Sequence, residues 1–165
     1  MLTDLVSLMW LPFLACLIHT FILGYLGLHV IAREVIFVDI ALAQVAALGT
    51  TSALLFGYDL EDPAAYWMSL GFTVLGAAIF ALSRTKERRV SQEAVIGVVY
   101  AVSAAAAILL VDRVPHGAEQ IKAILVGSIL TITPATAVKT AILYTGVGLL
   151  HWIARGPFFL ISTDP

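Results

Sequence analysis

The sequence predicts an all-α protein: a polytopic bundle with five spanning helices plus one short re-entrant or half-length helix. Three observations predict it. The 165 residues are 61% hydrophobic and 12% charged, against roughly 25% charged in a soluble domain, and mean hydropathy is +1.00. The charges cluster and leave uncharged windows of membrane-spanning length between them. Basic and acidic clusters alternate from one gap to the next, as they do on loops at opposite faces of a membrane.

A span needs roughly 20 mostly apolar residues. Leu5 to Ala32 supplies the first. It is long for a signal-peptide core and follows Asp4 rather than a lysine or arginine, so it reads as a retained helix. Ile40 to Tyr58 supplies the second span and Pro63 to Ser83 the third. Ala94 to Val111 supplies the fourth, with Ser91 as its N-cap and Glu93 suited to the positive helix end. Between Lys122 and Lys139 lies ILVGSILTITPATAV, broken at Pro134 and loosened at Gly127 and Ser128. Its unbroken part, Ala123 to Thr133, is too short to cross. Irregular backbone at that depth survives only when enclosed in protein or facing water. Thr140 to Ala154 is short for a span, but Lys139 can snorkel and extend it to a fifth crossing.

Loop charge orients the scheme. Arg33, then Arg84, Lys86, Arg88 and Arg89, and finally Arg155 belong on the cytoplasmic side. The acidic turn with Asp59, Glu61 and Asp62, the stretch from Asp112 to Glu119, and Asp4 belong outside, which places the N-terminus outside. The scheme closes only if the Ala123 segment does not cross, so parity and length agree. Gly24, Gly27, Gly71, Gly76, Gly97, Gly146 and Gly148, with the alanine-rich run from Ala101 to Ala107, allow close helix approach. No linker or tandem repeat divides the chain, and residues 1–165 read as one transmembrane domain.

The formal net charge of −2 gives no reason to expect a nucleic-acid partner. Cys16 is the only cysteine, so no intramolecular disulfide can form; in its apolar run it reads as a small packing residue. There is no His-Glu-x-x-His, Cys-x-x-Cys or phosphate-binding loop, and no nucleophile–base pair. The chain reads as no enzyme and as binding no cofactor of its own. Trp10, Trp67 and Trp152 lie near span ends, where interfacial anchoring accounts for them.

The polar residues within spans are few. Ile40, Gln44 and Leu48 recur every four residues and share one helix face. A carboxamide there needs partners, since an unpaired one costs about 1–3 kcal/mol. Gln44 therefore faces protein or water. Asp39 reads as a cap at the start of the second helix. His19 lies near mid-span, where an ionisable group is a candidate for function. His29 and His151 lie near membrane faces, where polar tips are cheap. His116 reads as a surface histidine of an outer loop.

Several stretches carry a resemblance. FVDIALAQVAALG resembles, without a gap, the FVGDALSHAVLPG segment of the metal-ion permeases of ATP-driven importers, matching at Phe37, Val38, Ala41, Leu42 and Gly49. The family's Asp-x-x-x-His pair falls on Ile40 and Gln44, and its proline on Leu48. Glu93-Ala94-Val95-Ile96-Gly97 resembles an acid-x-x-Ile-Gly motif. Ile124 to Leu130 resembles Leu-Phe-Gly-Asp-Ile-Leu, with Ser128 in place of the acid. Leu160 to Pro165 resembles the segment before a helix that docks on the ATPase subunit. The resemblance runs from about Leu5 to the last residue.

It implies a permease subunit of a zinc, manganese or iron importer in the inner or plasma membrane, working by alternating access. It implies a second permease copy in a homodimer, a cytoplasmic ATPase that hydrolyses the ATP, an extracytoplasmic metal-binding protein, and surrounding lipid. A divalent metal ion would be the transported substrate. The family runs on past Pro165, so the chain is expected to be incomplete at its C-terminus. On this reading Gln44, Ser128, Gly127 and His19 line the path, although Gln44 as interhelical glue stands beside that role. Arg84 to Arg89 either contact the ATPase or only set topology. The alternative is a truncated or accessory membrane protein with a packing role, which the missing Asp and His favour.

Overall fold

The computed structural model describes residues 2–32, 35–83, 91–115, 117–127 and 129–158. Among the described residues six helices follow one another: α1 (Leu2–Ala32), α2 (Val38–Leu55), α3 (Pro63–Leu82), α4 (Gln92–Val111), α5 (Gly117–Val126) and α6 (Pro134–Ile153). A 3₁₀ turn, Ile129–Thr131, precedes α6. No strand occurs among the described residues. Among the described residues four helices are long and apolar enough to cross a membrane, namely α1 to α4. The sequence suggests five. The fifth candidate, α6, is 20 residues long but is diluted by Lys139, His151 and its threonines, so it is not among the four.

The chain divides into two compact units, one of Val35–Gly127 and one of Met1–Glu34 with Ser128–Pro165. In the first, α2 is the common partner of α3, α4 and α5. Its contact with α3 is antiparallel and depends on Gly49. A β-carbon built there would lie 2.9 Å from the Met68 carbonyl oxygen, Ser69 Cα and Phe72 Cβ. Further along, Gly76 of α3 admits Val45, whose Cγ1 would be 3.1 Å from an added β-carbon. Ser69 donates to the Ala46 carbonyl at 3.1 Å across the same seam. Ala41, Phe80 and Ile96 then join α2, α3 and α4 in one buried cluster.

Of the glycines expected to permit close approach, Gly76 does so. Around Gly24, Gly27, Gly71, Gly97 and Gly146 nothing lies within 4 Å of the place an added β-carbon would take, and around Gly148 only Ile22 at 3.9 Å. Cys16 also departs from expectation. It is exposed and lines an open apolar groove with Val6, Met9, Trp10, Pro12, Phe13 and Leu130.

Helix ends show where local chemistry overrides hydropathy. The apolar window of the second helix runs to Tyr58, yet α2 stops at Leu55. Gly57, at φ +86°, donates to the Leu54 carbonyl at 3.0 Å while Tyr58 donates to Ala53 at 3.2 Å, the paired bonds of a glycine-terminated helix. Ser91 caps α4 as expected, accepting from the Ala94 N–H at 3.2 Å. The expected break at Pro134 is instead a start. Proline suits the first helical position, and Thr133 caps α6 by accepting from the Thr136 N–H at 3.2 Å. So α6 begins at Pro134 rather than at the expected Thr140. The short helix lies earlier than Ala123–Thr133, as α5. It is broken at Gly127, whose φ of +63° lies in the left-handed region.

Gly49→Ala should destabilise the protein by about 1–3 kcal/mol, since backbone cannot yield to the added methyl. Gly71→Ala should be neutral or stabilising by up to about 1 kcal/mol. Melting of the detergent-purified variants checks this, and equal melting temperatures would contradict the α2–α3 contact described.

Candidate functional site

Each of the four path candidates falls differently. Gln44 sits on α2, half-buried. It lies beside rather than on the buried row of Ala41, Val45 and Gly49, and its face opens outward at Ile40, which is 53% exposed. Gly127 is exposed at the end of α5, where its N–H donates to the Ala123 carbonyl at 3.0 Å. Gln44 and Gly127 belong to the same compact unit. Ser128 lies outside the described residues, as do Arg33, Arg84 to Arg89, His116 and Leu160 to Pro165.

His19 belongs to the other unit. Its Nδ1 lies 2.7 Å from the Ala15 carbonyl oxygen, and its ring meets Tyr144 edge-on at 5.1 Å between centroids. A carbonyl can only accept, so Nδ1 carries a proton there.

Beyond Gln44 the polar content of α2 after its first turn is all hydroxyl. Thr50, Thr51 and Ser52 donate to the carbonyls of Ala46, Ala47 and Leu48 at 3.2, 2.8 and 2.8 Å. Back-bonding of this kind satisfies a hydroxyl within its own helix, so Thr51 tolerates complete burial. These hydroxyls are occupied by backbone. That leaves Gln44 as the side chain within the span of α2 most able to offer a polar group outward. The Thr-Thr-Ser run is visible in the sequence, but its inward direction is not.

Asp39 does not cap α2. The N-cap position is Phe37, with no side-chain bond from its own residue, and Asp39 is exposed in the first turn. The cap comes from another helix: Glu93 Oε1 of α4 accepts from the Phe37 N–H at 3.1 Å. The other oxygen, Oε2, is buried without a hydrogen-bond partner among the described residues. Gln92 also reaches back, its Nε2 donating to the Phe80 carbonyl at 3.4 Å. The start of α4 thus fastens the start of α2 and the end of α3. Sequence reasoning assigns Glu93 only to its own helix, because a cap delivered across 56 residues has no local signature.

Among the described residues no group of three or more histidine, cysteine, aspartate or glutamate side chains could hold a metal ion. What the arrangement offers is a weakly polar face on α2, a helix break at Gly127, and ring-bearing residues along α1 and α6.

Glu93→Ala should cost about 1 kcal/mol by leaving the Phe37 N–H uncapped, with Glu93→Gln retaining most of that because an amide oxygen still accepts. Thermal melts in detergent compare them, and an Ala variant as stable as the parent would exclude the cap.

A family model described as the ABC 3 transport family matches residues 6–165. No curated protein and no solved structure matches the chain.

Proposed function

The chain belongs to the ABC 3 transport family, the metal-ion permeases of ABC transporters, and on that footing we propose that it is the membrane-spanning subunit of an ATP-driven transition-metal importer working by alternating access. Family membership implies an ATPase and a substrate-binding protein as partners. A second copy of the permease would complete the path. ATP hydrolysis belongs to the ATPase, for this chain carries no nucleotide-binding loop.

The observation that carries this reading is the broken segment. Ten residues of α5 rise about 15 Å, half of a hydrocarbon core of about 30 Å. The helix ends in a left-handed glycine, where backbone must be enclosed or wet. Parity supports the same reading. His19 meets Tyr144 and Tyr25 meets His151, so α1 and α6 run parallel. Parallel α1 and α6 require an odd number of crossings between them. The three spans α2, α3 and α4 provide that number only if α5 turns back. With α6 as the fifth crossing, the chain has its N-terminus outside and the Arg84 cluster in the cytoplasm.

Gln44 on α2, Gly127 and Ser128 at the break, and His19 on α1 are the path-lining residues of this proposal. An amide and a hydroxyl are harder, weaker ligands than imidazole and carboxylate. They suit passing contact with a hydrated divalent ion rather than capture. The second reading, a packing subunit without transport, draws on Ile40 and Gln44 standing where the family has aspartate and histidine.

In cells carrying the whole system, Gln44→Leu should lower metal uptake by roughly five- to tenfold, the effect of about 1 kcal/mol of lost polar contact. Unchanged uptake would remove Gln44 from the path. Single cysteines near Asp4 and in the Asp59–Asp62 turn, placed in a Cys16→Ser background, should react with an impermeant thiol reagent from outside. A cysteine near Arg84 should react only from inside. Labelling of all three from one side would overturn the five-crossing scheme.

A further inference from the structure

Three aromatic rings converge at one end of α1 and α6. His29 occupies the last turn of α1 and His151 the last turn of α6. Their ring centroids are 6.4 Å apart. Tyr25 stands edge-on to both, at 5.1 Å from His29 and 6.0 Å from His151. Phe158 stacks on His151 at 4.3 Å with a 15° interplanar angle. Both histidines are half-buried. None of this lies on α2 or at the Gly127 break.

The geometry points to a two-histidine site for a first-row divalent transition-metal ion, formed by His29 and His151 and oriented by Tyr25. The tautomer of His151 suits it. Its Nδ1 lies 2.9 Å from the Val147 carbonyl oxygen, and since a carbonyl only accepts, that nitrogen holds the proton. Nε2 then presents its lone pair. A backbone carbonyl behind the distal nitrogen is the usual support of a metal-binding imidazole. His29 brings its ring to the same point from the last turn of α1.

Distance fits as well. Zinc–imidazole bonds are about 2.0–2.1 Å, so two imidazoles on one ion have ring centroids about 5–6 Å apart. The observed spacing needs a closure of about 1 Å or less, within the reach of a side-chain rotation. Both rings lie in the last turns of two parallel helices, whose partial-negative ends attract a cation.

With two protein ligands and the remaining positions open to water, the site is unlike the closed four-ligand sets that hold structural zinc. It suits an ion that must also leave. In the topology proposed above, the ends of α1 and α6 face the cytoplasm, so the site would receive the cargo on its way out. That role rests on the importer reading, whereas the binding itself does not.

Cobalt(II) added to the full chain purified in detergent should give saturable visible absorption with one ion per chain. Equilibrium dialysis with zinc should give the same stoichiometry. His29→Ala and His151→Ala should each weaken binding at least tenfold, while His116→Ala leaves it unchanged. Tyr25→Phe, which keeps the ring, should bind as the parent does, and Tyr25→Leu should weaken binding severalfold. Circular dichroism matching the parent identifies the variants that fold. Parent-like binding in folded His29→Ala and His151→Ala, or no saturable binding to the parent, would overturn the site. Either result leaves the importer reading standing, since that reading is tested separately, by metal uptake in Gln44→Leu.

Discussion

In a bilayer every backbone N–H and C=O needs a partner from the protein, and that constraint governs this chain from end to end. It explains why the described residues hold only helices and short turns. It explains why the hydroxyls of Thr50, Thr51 and Ser52 fold back on their own carbonyls instead of projecting outward. It also bears on the end of α5 at Gly127. In a soluble protein such an end would be ordinary. Within a membrane the groups freed by an interrupted helix must find protein or water.

The spans are legible because charge is scarce and falls between them. Four of the expected windows lie within three residues of an observed helix at each end, so hydropathy alone places most of the fold. Where sequence and structure part, a residue with two meanings is the cause. Pro134 breaks a helix that contains it and starts one that follows it, and hydropathy does not distinguish the two; Thr133 as the preceding cap is the available signal. Lys122 and Glu119 make the first turns of α5 look like loop, so the short helix is expected too late. The end of α2 is set by Gly57, whose backbone geometry outweighs the apolar residues around it.

The functional residues are less legible, for a different reason. Gln44 stands out because a lone amide in an apolar helix is a local anomaly. The approach of His29 to His151 is not visible in either residue's neighbourhood. Their convergence requires α1 and α6 to run side by side in the same direction, a property of the topology rather than of any window of sequence. The same holds for Glu93 and the first turn of α2. Local patterns disclose which side chains are unusual, while the tertiary fold decides which of them meet.

The Glu93–Phe37 bond has a mechanical consequence. It joins the α2–α3 seam, already locked by Gly49 and by the Ser69–Ala46 bond, to the base of α4. The three helices are held at two levels, at the Glu93–Phe37 bond and at Gly49. Bending one of these three helices apart from the others would break the Glu93–Phe37 bond or open the contact at Gly49.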